Sequence, residues 1–175
     1  NTLADRGDIT MNGGNTDAYS QIGHGGRASN DPKSGNINIS QVVNIDMDGG
    51  TGGDSHVQIG HGGNDNSNGP VSGDIDIDIS GNLMINAGTS AQAYAQIGHG
   101  GHSQVNGVMT EAEDNDITIT TGGYVEVVGT SAGTPVLNPA AQAYAQIGHG
   151  GRGSRGGDAG ATARERFGNI TLNIN

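Results

Sequence analysis

The chain has no cysteine, no tryptophan, one phenylalanine (Phe167) and four prolines in 175 residues. Without cysteine there are no disulfides and no thiolate chemistry. That leaves the compartment open, because many exported bacterial proteins also lack cysteine. Basic residues are scarce: 7 Lys and Arg stand against 18 Asp and Glu, a net charge of −11. A phosphate backbone would be repelled, which argues against a nucleic-acid partner, while cation binding stays open. No apolar run approaches transmembrane length, and there is no signal-peptide pattern. Hydrophobic residues make up only 31% of the chain, too few for a conventional layered core of large side chains. By composition alone, the bias toward Gly, Asn, Ser and Asp points to disorder.

The 34 glycines fall in a pattern that argues otherwise. The stretch AQAYAQIGHGG occurs twice, at Ala91–Gly101 and Ala141–Gly151, and weaker copies stand at Asp17–Gly26 and Asp54–Gly63. QIGHGG begins at Gln21, Gln58, Gln96 and Gln146, so the spacings are 37, 38 and 50. A second element follows each copy: GNINIS (Gly35–Ser40), GDIDIDIS (Gly73–Ser80), NDITIT (Asn115–Thr120) and GNITLNI (Gly168–Ile174). A third lies between them: VVNIDMD (Val42–Asp48), NLMINA (Asn82–Ala87) and YVEVVG (Tyr124–Gly129), with GDITM (Gly7–Met11) opening the chain in the same register. All three alternate apolar and polar residues with the strand period of two, and no window carries a 3.6 period. Glycine pairs and Asn/Asp/Ser clusters punctuate them as turns.

Three short strands per repeat, in tandem, predict an all-β solenoid: a parallel β-helix of about four coils, with equivalent strands stacked about 4.8 Å apart. Small aliphatic residues then fill a narrow interior. One inner ladder is Ile37, Ile75 or Ile77, Ile117 and Ile170; another is Ile22, Ile59, Ile97 and Ile147. β-Propeller blades are the structural alternative, but they need four strands per repeat and usually aromatic motifs. The chain reads as one domain, 1–175, with repeats roughly 1–26, 27–63, 64–101 and 102–151 and a partial repeat 152–175. A coil needs roughly 20–25 residues, so the surplus goes into loops at Arg27–Ser34, Asn64–Ser72, His102–Asp114 and Arg152–Phe167, projecting from one corner. A second insertion, Ser131–Ala140, carries Pro135 and Pro139. The third loop is acidic (Glu111, Glu113, Asp114) and the fourth basic (Arg152, Arg155, Arg164, Arg166); they either pair or stay solvated.

With the isoleucine of AYAQIGHGG placed inside, Ala93 and Ala95 also point in, and Tyr94 and Gln96 point out. Two external rows follow. One is an amide ladder, Gln21, Gln58, Gln96 and Gln146, bonding from coil to coil. The other is a flat aromatic strip, Tyr19, His56, Tyr94 and Tyr144. The histidines His24, His61, His99 and His149 sit at a glycine-flanked corner. Stacked imidazoles would repel if all were protonated, so neutral rings are expected at pH 7. The corner ladder is read as structural. Zn²⁺ or Cu²⁺ on the same four histidines is the alternative, without the Cys or compact His/Asp spacing of a zinc site. Asp74, Asp76, Asp78 and Asp116 on the outer face read as a solvated acidic surface; calcium repeats are absent, and IDMDGGTGGD (Ile45–Asp54) is only loosely similar to an EF-hand loop. Ice binding by a Thr/Asn face is disfavoured by its charges. The polar positions recur in every repeat, as a scaffold requires, where a catalytic site needs unlike residues converging in a cleft. No catalytic residue, cofactor or enzyme activity is assigned.

Tandem AYAQIGHGG with GNI/GDI strands resembles the repeat regions of large bacterial exoproteins of the filamentous-haemagglutinin and autotransporter type. GDITM, AYSQIGHGG, GNINIS, AYAQIGHGG and GNITLNI carry the likeness across nearly the whole chain. GDI/GNI strands are common to that group; QIGHGG marks a narrower subset. The resemblance implies a right-handed parallel β-helix, export across a Gram-negative envelope, and a place on the outer cell surface or outside the cell as a stalk, adhesin or fibre. It implies no enzyme activity. Such proteins are usually far longer and carry a secretion domain. The chain opens at Asn1 without a methionine and shows no polar cap at either end, which points to an excised segment or to a subunit that stacks end to end on itself. A glycan or other surface target, met by the loops or the tyrosine strip, is the alternative partner.

Overall fold

A computed structural model describes residues 6–29, 31–64, 70–102, 115–129, 143–151 and 168–175. Fifteen strands account for the regular structure: β1 (Gly7–Asn12), β2 (Tyr19–Ile22), β3 (Gly25–Arg27), β4 (Lys33–Ser34), β5 (Ile37–Asp48), β6 (His56–Ile59), β7 (Gly62–Asn64), β8 (Val71–Ser72), β9 (Ile75–Ile79), β10 (Leu83–Asn86), β11 (Tyr94–Ile97), β12 (Ile117–Thr121), β13 (Val125–Val128), β14 (Ala145–Ile147) and β15 (Ile170–Ile174). Every strand pairing is parallel. The fold is all-β, and no helix of the described residues is long and apolar enough to cross a membrane.

The right-handed β-helix solenoid of three short strands per coil is not what forms. GNINIS and VVNIDMD do not make two strands: they run together as the 12-residue β5. The join is a bulge. Register shifts between Ile39 and Val42, and Gln41 takes φ 61°. A bulge bends a strand without ending its pairing. The two halves of β5 therefore merge the pairings of two repeated elements into one seven-stranded sheet, in the order β13-β10-β5-β9-β12-β15 with β1 also on β5. Beside it lie a four-stranded sheet, β14-β11-β6-β2, and two separate two-stranded sheets, β3-β7 and β4-β8. Together they make a nearly closed, barrel-like arrangement of parallel sheets. The glycine pairs read as turns are partly strand: Gly25 and Gly26 pair with Gly62 and Gly63 in β3-β7.

The pairings sort the longer strands into three series. The first holds the Ile37–Ile39 half of β5, then β9, β12 and β15; the second β1, the Val42–Asp48 half of β5, β10 and β13; the third β2, β6, β11 and β14. Register is in step with the repeats, with Ile37, Ile75, Ile117 and Ile170 consecutive partners. The apolar faces meet in one core of Ile, Leu, Val, Met and Ala, including Ile45, Met47, Ile59, Ile85, Ile97 and Ile119. Burying each isoleucine contributes roughly 1.5–3 kcal/mol. An interior this narrow needs no aromatic residue, which reconciles the fold with its composition.

The Asn or Asp that opens a strand has a defined task. Its side-chain oxygen accepts the backbone N–H of the equivalent residue in the next repeat: Asn36 from Asp74 (3.1 Å), Asp74 from Asp116 (3.0 Å) and Asp116 from Asn169 (2.6 Å). Asp8, Asn44 and Asn82 do the same for Asn44, Asn82 and Tyr124. This satisfies an amide that the regular ladder does not reach, ahead of a strand or, for Asn44, in the irregular stretch of β5 opposite β1.

Candidate functional site: the QIGHGG rows

The third series carries the repeated motif. Its histidines stack face to face: His24 on His61, His61 on His99 and His99 on His149, with ring centroids 5.0, 4.9 and 5.1 Å apart and planes within 12°. Each of the rings of His61, His99 and His149 makes two bonds of opposite kind. Its Nδ1 accepts the backbone N–H of the preceding histidine: His24 to His61 (3.0 Å), His61 to His99 (2.9 Å), His99 to His149 (3.1 Å). Its Nε2 meets a backbone carbonyl, Gly35 for His61 (2.7 Å), Gly73 for His99 (2.6 Å) and Asn115 for His149 (2.6 Å). A carbonyl only accepts, so Nε2 carries the proton and Nδ1 the lone pair. The ring is held neutral and in one tautomer.

Those carbonyls lie just ahead of the first-series strands. Each of these three histidines thus ties the end of its repeat's third strand to the start of its first, and closes the circumference. Burial acts the same way on charge. His61 and His99 are almost completely shielded from solvent. Desolvation lowers the pKa of His61 and pushes that of His99 down to about 3, while the carbonyl bonds oppose the shift and neighbouring histidines add to it. With Nδ1 occupied and Nε2 protonated, His61, His99 and His149 offer a metal no lone pair. Among the described residues, no group of three or more metal-binding side chains is placed to hold an ion.

The glutamine row is covered in its middle repeats and half-buried at Gln21 and Gln146. Gln58 and Gln96 are fully buried. Nor do their amides bond to one another. Gln21 Nε2 donates to the Gly60 (2.9 Å) and Gly62 (3.2 Å) carbonyls of the next repeat. Gln58 donates to Gly98 (2.9 Å) and Gly100 (2.9 Å), and Gln96 to Gly148 (3.0 Å) and Gly150 (2.6 Å). Each amide also reaches back to the carbonyl of its own repeat's histidine. The row fastens backbone to side chain between repeats, one donor across two carbonyls.

The aromatic strip is likewise covered. Tyr19, His56, Tyr94 and Tyr144 stack at 5.1, 4.7 and 5.0 Å with planes within 8°. Tyr94 and His56 are buried, however, and only Tyr19 of these four ranks among the exposed large side chains. The face is the expected one, opposite the isoleucines, but the closing glycines of GHGG lie back against it. A Cβ on Gly101 would sit 2.9 Å from the Tyr94 hydroxyl oxygen, so only glycine lets the backbone lie against the ring. Burial also holds His56 neutral, with its pKa lowered to about 4.

Replacing Gln58 by leucine keeps the volume and removes the donor. The Gly98 and Gly100 carbonyls then lose a buried partner, and destabilisation of about 2–4 kcal/mol is expected. Chemical denaturation of the variant beside the parent chain measures it; a change under about 0.5 kcal/mol would mean that water serves those carbonyls.

On the outer face of the first series, Asn38, Asp76 and Thr118, with Ser40, Asp78 and Thr120, line an open groove. In IDMDGGTGGD, Asp48 Oδ1 accepts the Gly50 N–H (2.8 Å), a local turn bond. The acidic and basic loop residues, the Ser131–Ala140 insertion and most of the projecting loops lie outside the described residues. Sequence reasoning missed the carbonyl partners of the histidines; the regular interval from each GNI or GDI glycine to the next QIGHGG histidine, 26 residues for both Gly35–His61 and Gly73–His99, was the available signal. No protein-family model, no curated protein and no solved structure matches the chain.

Proposed function

We propose that the chain is a non-enzymatic structural module, a building block or segment of an extracellular bacterial filament or surface stalk that lengthens by end-to-end strand pairing. The observation that carries this reading is where the buried polar groups go. The row histidines bond to the backbone of their own repeat and of the preceding one, the glutamines to that of their own and the next, and the Asn and Asp at the strand starts bond onward to the next repeat. Side chains committed to joining repeats build a rod. The likeness to exoprotein repeats supplies the extracellular setting. The glycan-binding alternative loses its tyrosine strip, since Tyr94 is buried, and rests on the loops alone.

Immunogold electron microscopy of intact source cells, with antibody raised against this chain, tests the reading. Gold spaced along extracellular fibres or stalks is expected. Gold confined to the cell interior would contradict it, and gold on the cell body without any fibre, with attachment lost when the loops are deleted, would favour the adhesin.

A further inference from the structure

Position 56 interrupts the tyrosine column. Tyr19 and Tyr94 are its register partners on either side, and the His56 ring is stacked between theirs at 5.1 and 4.7 Å. The ring is buried, yet neither of its nitrogens has a hydrogen-bond partner among the described residues. That separates it from the rings of His61, His99 and His149, whose nitrogens are both engaged. Its cover is slight. Gly26 lies against the Tyr19 hydroxyl and Gly101 against that of Tyr94; Gly63 pairs with Gly26 and abuts Gly101, so it sits between them, over His56. Gly63 and Asn64 end β7, in a sheet of two three-residue strands without an apolar side chain. Asn64 Nδ2 latches this end to Asp54 Oδ1 (3.4 Å), and Asn64 Oδ1 meets His102 Nδ1 (3.3 Å).

We infer that Gly63 and Asn64 form an acid-released cover: a proton taken up by His56 lifts them from the aromatic column and admits water to the ring. The direction follows from the groups around that ring. Burial disfavours its charged form most and lowers its pKa to about 4; the Asp54 backbone favours the charged form, Arg27 of β3 disfavours it, the Asp54 carboxylate favours it and His102 disfavours it. Tyr19 of β2 and Tyr94 of β11 cover the two ring faces, and Arg27 is itself paired with Asp17. Once the cover lifts, the hydrated ring takes its proton near the ordinary 6.5. The closed form then binds fewer protons than the open one, so opening is favoured as pH falls from about 6.5 toward 4, by up to about tenfold per pH unit. Opening here breaks few bonds: the Gly63 N–H to the Gly100 carbonyl (3.0 Å), the Ala28 N–H to that of Asn64 (3.0 Å), and the two Asn64 side-chain contacts. The isoleucine core, on the opposite face of the strands, stays closed. Openings of such low cost precede global unfolding.

His56→Tyr separates this device from general acid lability. Tyrosine already stacks on tyrosine at 5.0 Å between Tyr94 and Tyr144. The other three hydroxyls each face a glycine, Gly26, Gly101 or Gly151, and position 63 is glycine too. Amide hydrogen exchange of the full chain, read by NMR at pH 7 and pH 5 as protection relative to the unstructured rate, makes the comparison. The Gly63 and Ala28 amides report on the cover; those of Ile75 and Ile117, bonded to the Asp116 and Asn169 carbonyls, report on the core. In the parent chain the cover amides should be less protected than the core amides at both pH values, and should lose a further factor of about ten or more at pH 5. In His56→Tyr that loss at the cover should shrink to about twofold or less, while acid still weakens the core amides through His99. An undiminished loss at the cover in the variant, or one common protection for cover and core in the parent, overturns the inference. His56→Phe, which has no hydroxyl to place, carries the same comparison if the tyrosine variant does not fold.

Discussion

Gly60→Ala is expected to destabilise the chain by about 4 kcal/mol, a large share of the stability of an ordinary module. Gly60 sits between Ile59 and His61 at φ +149°, and an added Cβ would lie 2.0 Å from the Gly98 carbonyl oxygen and 2.6 Å from its carbon. Both costs apply together: a conformation L-residues rarely adopt, and an overlap with backbone that cannot swing aside. The overlap falls on the spacing between repeats, so relief requires the stack itself to open. Gly23 and Gly98 meet the next repeat in the same way, at 2.1 Å from Gly60 and Gly148 oxygen. Gly7 has nothing within 4 Å of its virtual Cβ and no left-handed φ, so Gly7→Ala should change stability by less than about 0.5 kcal/mol. Circular dichroism melts of the two variants make the comparison. A folded Gly60→Ala chain with an unchanged midpoint would mean that the repeats do not pack backbone on backbone at the corner.

Stability is expected to fall steeply as pH drops below neutrality. His99 and His56 hold folded-state pKa values of about 3 and about 4, and that of His61 is also lowered, each chiefly through burial. In the unfolded chain these rings take up a proton near the ordinary value of 6.5. Below that pH the unfolded state binds more protons than the folded one, so stability is fully present above about 6.5 and is lost as pH falls toward 3–4. Each such ring contributes a slope approaching 1.4 kcal/mol per pH unit inside its window. His99 and His56 together reach about 3 kcal/mol per unit between pH 4 and 6. Melting midpoints at pH 8, 7 and 5 should be nearly level over the first step and drop sharply over the second. A midpoint that holds from pH 8 to 4 would mean that the rings are already charged in the fold, against the bonding pattern described.

Much of this molecule is legible in its letters. The period-two alternation finds the strands, and the aligned GNI/GDI and QIGHGG motifs give the register that pairs Ile37 with Ile75 and Gln58 with Gln96. Two things are not legible, each for a physical reason. The merger of two elements into β5 turns on Gln41, a non-glycine residue in the left-handed region with no Gly or Pro to announce it; in the next repeat the join between β9 and β10, Ser80-Gly81, reads as a break and is one. The cover over Tyr94 and Gln96 is the other. Strand parity assigns these side chains to the face away from the isoleucines, but whether that face meets water depends on where the chain goes next. Here it returns as Gly62–Asn64 and its counterparts, a glycine stretch that reads as a turn. A glycine-rich segment that pairs as strand beside a buried tyrosine leaves no apolar periodicity to detect.

The histidine of QIGHGG is central to the account as a neutral link, and ring nitrogen NMR measures that directly. In a chain labelled with ¹⁵N-histidine, His61, His99 and His149 should show Nε2–H tautomers with Nδ1 as acceptor at pH 7, and His99 should keep those shifts at pH 5. Resonances that titrate together near pH 6.5, or Nδ1–H tautomers, would contradict it and return the row to the surface as a set of independent, solvent-facing imidazoles.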